Sequence, residues 1–466
     1  MPEPDIREEL DGATLRPFHV LLVALVFLAI TFDGYDIVAP SYVIHFVAVP
    51  WHLSPSESGF LVSAGLIGVM AGSLAQGVAA DRLGRRPVMI AGLVFSGAGS
   101  LATALAANSY GSFIVLRMIT GLGLGVIMPL GTAYINEYLP GRSRYRLASL
   151  AAAGFSLGAV LASVVGILLT PRYGWQALFT VGAGAAVVGL VFIAVFPESA
   201  EFLVARGRVA EAAAIMARVR PERAQLYAES GFAAPPTRRP PPPSTDALRA
   251  TDTSVQSGRD WLLPLRKPYR VTTIALWLSA LFLLFDNYGL TAWTPALMVQ
   301  RGAGFALGFG FGAALHSLPF VGGILCGYVA DRWLGRRVSL VLWCGLGAVA
   351  VAFVVLVHDP IADVAAIAAA GFFLIGGQFM LNNVCAMTYP VHARSTGLGY
   401  LLGVGRVGAI LGPYLGGVVL GASGGTDGLF VLTAVTGAMV MITGAFIGGS
   451  ARRAASPRPA PRVRQR

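Results

Sequence analysis

Apolar stretches of about 20 residues, the length an α-helix needs to cross a bilayer, recur along this chain from Phe18 to Gly449. They begin near Phe18, Gly59, Pro87, Phe113, Leu147, Trp175, Val271, Leu307, Val338, Val364, Thr396 and Leu429. Only 12% of the residues are charged and 55% are hydrophobic, and the mean hydropathy is +0.69. A soluble domain carries roughly 25% charged residues, so this chain has too few charges to cover a water-facing surface. The expected fold is an all-α membrane protein of twelve spans.

The formal charge of +11 could suggest a nucleic-acid partner. The basic residues, however, form short clusters between apolar runs rather than one continuous stripe, which excludes nucleic acid. Arg82, Arg85 and Arg86 lie between spans two and three, Arg142, Arg144 and Arg146 between four and five, and Arg332, Arg336 and Arg337 between eight and nine. The opposite loops hold only Arg172 and Arg301, so the positive-inside rule puts both termini in the cytoplasm. The acidic start (Asp5, Glu8, Glu9) has no basic n-region, and span one reads as a retained helix rather than a signal peptide. Cys326, Cys344 and Cys385 fall inside spans and the histidines are scattered. No metal site, no cofactor, no Walker loop and no nucleophile elbow follows, so an enzyme is not expected.

The chain is also written twice. Gly77-Val-Ala-Ala-Asp81-Arg82-Leu-Gly84-Arg85-Arg86 returns as Gly327-Tyr-Val-Ala-Asp331-Arg332-Trp-Leu-Gly335-Arg336-Arg337, with the aspartates 250 positions apart. Phe32-Asp33-Gly34-Tyr35 echoes Phe285-Asp286-Asn287-Tyr288, and Pro140, Arg144 and Gly158 match Pro390, Arg394 and Gly408. The organisation read from this is a tail over 1–17, a six-helix half over 18–196, a central loop over 197–269, a second six-helix half over 270–450 and a basic tail over 451–466. Within the loop, Gly207 to Glu229 reads as an amphipathic helix and the proline run at 234–243 as an extended linker. The tail after Ala451 reads as disordered.

Charges at mid-span need a reason, because each is unfavourable by roughly 2.5–3.5 kcal/mol even on a lenient insertion scale. Asp33 and Asp36 are three apart and share a helical face. Two acids that close do not ionise together easily, which suits proton coupling. Arg406 lies about eleven residues into span eleven, near mid-membrane at 1.5 Å per residue. Its guanidinium would fork onto a substrate carboxylate, or form a structural pair with Asp286 or Asp33. Arg117, near the outer end of span four, reads equally as a group in coupling or substrate contact and as a snorkelling or helix–helix-bonding side chain. Glu137, near Arg142 and Arg144, reads as a proton carrier or a gate salt bridge. Gln378 and Asn382 share a face of span ten, with Asn383 beside them, and amides there can bind ring hydroxyls or a carboxylate. Tyr35, Tyr288 and Trp293 are candidates for an aromatic wall, and Asp286 for a further polar contact. The doubled loop motif (Asp81, Arg82, Gly84, Arg85, Arg86; Asp331, Arg332, Gly335, Arg336, Arg337) reads as a gate. In that reading its aspartates cap helix N-termini and its arginines bridge to acids between the halves.

Together the two loop motifs, Arg117-x-x-x-Gly121-x-Gly123-x-Gly125, and Pro197-Glu198-Ser199 with Leu203 and Gly207-Arg208 resemble the major facilitator superfamily. A narrower resemblance is to the aromatic acid:proton symporter family. It rests on Asp33-Gly34-Tyr35-Asp36, Tyr288-Gly289-Leu290 with Trp293, Tyr389-Pro390 through Arg394, Thr396-Gly397, Gly403-x-Gly405-Arg406-x-Gly408 and Gly412-Pro413. Asp286 and the long proline-rich loop depart from that pattern. The resemblance implies a twelve-helix fold of two halves about a pseudo-twofold axis, uptake of a small organic acid with protons, and alternating access. The expected protein is a monomer in a bacterial inner membrane whose partners are protons, an aromatic carboxylate and the lipid bilayer. Proton-driven efflux of a drug or secondary metabolite is the competing reading, favoured by Asp286.

Overall fold

A computed structural model describes residues 4–232, 260–267 and 269–447. The proline run and the basic tail lie outside them. Among the described residues, twelve helices are long and apolar enough to span a membrane. They are α1 (Pro17–Val47), α2 (Pro55–Leu83), α3 (Arg85–Ala106), α4 (Tyr110–Tyr138), α5 (Arg144–Tyr173), α6 (Gln176–Val195), α7 (Arg270–Gln300), α8 (Phe305–Leu334), α9 (Arg336–Leu356), α10 (Pro360–Thr388), α11 (Thr396–Ser423) and α12 (Gly428–Phe446). Each begins within four residues of the position read from hydropathy.

Local chemistry sets the ends. Ser54 and Glu57 form a reciprocal capping box ahead of α2, with Pro55 in the first turn where its missing N–H is harmless. Asp359 accepts from the amides of Ile361 and Ala362 at the start of α10. Gly424 closes the helix of α11 in the left-handed conformation.

By compactness the chain divides into Met1–Thr253 with Thr294–Ala313, and Ser254–Trp293 with Ala314–Arg466. In the first unit α1 packs on α5, and α4 packs on α2 and α3. In the second, α9 packs on α12. The doubled glycines explain part of this. A Cβ at Gly158 of α5 would overlap the carbonyl of Thr31 in α1, and one at Gly408 of α11 would overlap that of Leu281 in α7. The repeat thus preserves the same backbone-to-backbone approach in each unit, as small residues do in membrane helix pairs.

The central loop differs from the single helix expected over 207–229. Val209–Val219 is helical and buries Ala212, Met216 and Val219. Pro221 then breaks the run, and Ala224–Ser230 forms a separate turn of helix. This break aims Arg220, Arg223 and Tyr227 at one target, the buried Glu9 of the short helix Ile6–Asp11. Arg220 Nη1 and the Tyr227 hydroxyl each donate to Glu9 Oε2 at 2.8 Å, and Arg223 pairs with Oε1. Burial, together with the Glu9 carboxylate, raises the Tyr227 phenol above its ordinary range.

Candidate functional site

In the first unit α1 carries Asp33 and Asp36, both 2% exposed, and α4 carries Arg117, 1% exposed. Arg117 Nη1 lies 3.2 Å from both carboxylate oxygens of Asp36, and Nη2 donates to the Asp36 carbonyl at 2.8 Å. Ser100 of α3 donates to Asp36 Oδ1 at 2.7 Å. The guanidinium also rests 5.1 Å from the Phe179 ring centre of α6. Asp36 is therefore held as a charge-assisted, multiply bonded group rather than simply opposed to Asp33. The guanidinium of Arg117 is likewise engaged by Asp36. Tyr35 turns the other way. Its ring joins the packed core with Val38, Tyr42 and Phe179, and its hydroxyl donates to the Leu178 carbonyl at 2.8 Å.

The second unit is arranged differently. Asp286 of α7 is fully buried and accepts from Thr436 of α12 through Oδ1. Its Oδ2 is buried with no hydrogen-bond partner among the described residues. Tyr288 sits two residues on, about 200° around the helix, and faces α11, where Arg406 Nη1 lies 3.4 Å from its hydroxyl. Arg406 is half-buried and has no carboxylate partner among the described residues. The pair to Asp286 considered from sequence is not formed among the described residues, because Asp286 points to Thr436 of α12. Gln378 Nε2 donates to Asn382 Oδ1 at 3.2 Å along one face of α10, and Gln378 Oε1 is a buried acceptor left open. Asn383 is exposed. Trp293 packs on α11, its indole donating to the Pro413 carbonyl at 2.9 Å.

The two loop motifs also differ. Between α2 and α3, Gly84 turns the chain at φ +102°. The N-terminus of α3 is capped by Glu198, whose Oε1 accepts from the amides of Arg85 (2.9 Å), Arg86 (3.2 Å) and Ser199 (2.8 Å). This corrects the expectation that Asp81 caps it; Asp81 sits in the last turn of α2 and is exposed. Arg85 pairs with Glu137 of α4 at 2.5 Å, and Ser199 donates to Glu137 at 2.6 Å. Glu137 thus takes Arg85, inside its own unit, rather than Arg142 or Arg144; Arg144 pairs with Asp11. In the second copy one extra residue separates Asp331 from Gly335. It is absorbed as a π-turn, Ala330–Leu334. Asp331 there has a side chain 71% exposed and, among the described residues, pairs with Arg336 alone, at 3.4 Å. Glu198 carries no role in the sequence reading, although the Pro197-Glu198-Ser199 segment that holds it was visible. No group of side chains able to hold a metal occurs among the described residues.

Twelve membrane-length helices, a duplicated order and charged groups held at mid-span define a polytopic membrane carrier. Residues 23–388 and again 317–465 match the family described as the Major Facilitator Superfamily, and the chain belongs to it. It is 32% identical over 462 residues to a gallate transporter of Pseudomonas putida, covering 97% of each chain. It is 29% identical to a benzoate transport protein of Acinetobacter baylyi, covering 90% of this chain and 87% of that one. A 4-hydroxybenzoate transporter of Pseudomonas putida is 30% identical, with 90% of each covered. Among solved structures, a bacterial homolog of the human lysosomal transporter Spinster superposes with a TM-score of 0.70 at 16% identity, covering 94% of this chain and 98% of that one. The xylose transporter XylE of E. coli superposes at 0.67 and 16%, covering 92% and 97%. These two likenesses speak to the fold.

Proposed function

We propose that this chain imports a small aromatic carboxylate together with protons across a bacterial cytoplasmic membrane, by alternating access, with both termini inside. The observation that carries the acid substrate is Arg406, a permanent cation in the middle of α11 that has a phenol beside it and no anion of its own. A carboxylate arriving there would supply the missing counter-charge and fill the guanidinium fork. Tyr288 and the open Gln378–Asn382 face would serve ring substituents, and the gallate, benzoate and 4-hydroxybenzoate named for the relatives are ligands of that chemistry.

Proton coupling is assigned to Asp36 and Asp33. Protonating Asp36 cancels its charge and releases Arg117 from a bidentate bond, so one proton can change how α1 and α4 hold together. Glu137, Arg85 and Glu198 would govern the Arg-rich end of the same unit. Complete burial of Asp286 against Thr436 gives it no open face for a cationic drug, so import is preferred over efflux. The test is uptake of labelled aromatic acids into proteoliposomes with and without an imposed pH gradient. Accumulation only with an inward proton gradient is expected. Gradient-independent equilibration would remove the coupling, and export of lipophilic cations would favour the efflux reading.

A further inference from the structure

A cavity of about 500 Å³ opens where α2 and α6 end and α3 begins, lined by Leu83, Arg86, Phe196, Ile215 and Arg218 among others. Three helix ends meet there, so the cavity lies at the level of the lipid headgroups. Leu83 and Ile193 beside it are 67% and 49% exposed apolar side chains, a surface for acyl chains. Its charges are Arg86, Arg208, Arg218, Glu198 and Glu211. Arg208 is fully engaged by Glu211, through bonds of 2.7 and 2.6 Å. Glu198 spends its Oε1 on the two backbone amides at the head of α3 and on that of Ser199. Arg86 uses one nitrogen on the Ile193 carbonyl at 2.6 Å, and its Nε is buried without a partner. Arg218 lies 4.9 Å from the Phe18 ring centre and has no carboxylate partner among the described residues. Two guanidinium groups with donors to spare therefore share a membrane-level cavity that has an apolar flank.

We infer that this cavity binds the phosphodiester headgroup of an anionic membrane phospholipid, with Arg86 and Arg218 as the donors. The lipid's negative charge answers the surplus cation, and its chains lie along α2 and α6, as basic pockets between membrane helices favour. A soluble anion would gain the same donors but none of the apolar flank.

The experiment uses the full chain, delipidated in detergent, with lipid retention read by native mass spectrometry. Phosphatidylglycerol is expected to be retained at least about fivefold better than phosphatidylcholine, and Arg218→Gln to lower that preference about fivefold. Arg218→Lys keeps the charge and should preserve most of it. Arg146→Gln, a change to an exposed arginine outside the cavity, should leave it intact, and glycerol 3-phosphate should not displace the lipid. Equal retention of the two lipids overturns the proposal. So does an equal loss in Arg146→Gln, which would mean diffuse attraction, or full displacement by glycerol 3-phosphate, which would mean a site for a free anion.

Discussion

The intramembrane acids of α1 and α7 recur in the repeat, but the cations do not: Arg117 lies on α4 and Arg406 on α11, where the first copy has Ser156. In the first, the cation of α4 and the carboxylate of α1 satisfy each other, with the Arg117–Asp36 pair almost wholly out of solvent. In the second, the acid of α7 turns to Thr436 while, among the described residues, the cation of α11 meets a phenol and no carboxylate. A closed pair can store and release a proton without any ligand. An unmatched cation would be satisfied by one. Under the proposed function the two similar scaffolds would take different chemical tasks: coupling in the first, recognition of an anion in the second.

The largest effect should come from removing the unmatched cation. Arg406→Ala is expected to abolish uptake of an aromatic acid, and Arg406→Lys to weaken its binding by about 1–3 kcal/mol, since the charge stays and the fork is lost. A neutral amide analogue should lose far less in both variants. Equal losses for acid and amide would make Arg406 structural and erase the contrast between the units.

The closed pair should respond in the opposite way, through stability. Asp36→Asn or Arg117→Gln alone leaves a buried charge exposed to apolar surroundings, a loss of about 3–5 kcal/mol. The double variant should lose clearly less than the two singles combined, by thermal unfolding in detergent. Strict additivity would mean that the two residues act independently. In transport assays Asp36→Asn should end proton-driven accumulation yet retain some substrate exchange, which needs no net protonation cycle.

A third comparison sets the two loop glycines against each other. Gly84 and Gly335 both have positive φ, so any side chain brings about 1–3 kcal/mol of backbone strain. A Cβ at Gly84 also collides with the Glu198 carboxylate, whereas at Gly335 it meets open space. Gly84→Val should slow turnover far more than Gly335→Val, with substrate affinity nearly unchanged in both, as measured by rates and binding on one preparation. A fall in affinity with turnover preserved would overturn the gate assignment.

The smallest effects belong to the caps. Glu198→Gln removes an anion from the head of α3, and about 0.3–1 kcal/mol of stability should go with it. Asp331→Asn touches only an exposed pair and should change nothing measurable. If the two variants melt alike, the asymmetry between the loop copies carries no energetic weight.

Hydropathy alone located all twelve spans, because membrane helices must satisfy their backbone internally and so declare themselves in runs of apolar residues. The spacing of doubled residues was equally legible. Gly158 and Gly408 recur because each unit needs the same close approach, whereas the π-turn that takes up the extra residue before Gly335 came only from the structure. The loop helix was read too long because its amphipathic pattern runs on past Pro221, where the missing N–H stops it. Partner choice was not legible. Asp36 and Arg117 are 81 positions apart, Asp33 lies at much the same distance in the sequence, and only the packing of α1 against α4 selects the pair. Glu198 replaced Asp81 at the head of α3 for the same reason: any carboxylate suits a helix dipole, and the one that caps is the one the tertiary fold brings within reach. Sequence by itself determined the spans, the repeat and the kinds of charge within them. Only the tertiary structure decided which of those charges are matched by an opposite charge and which, like Arg406, have no carboxylate partner among the described residues, because pairing depends on helix rotation and contact across long sequence separations.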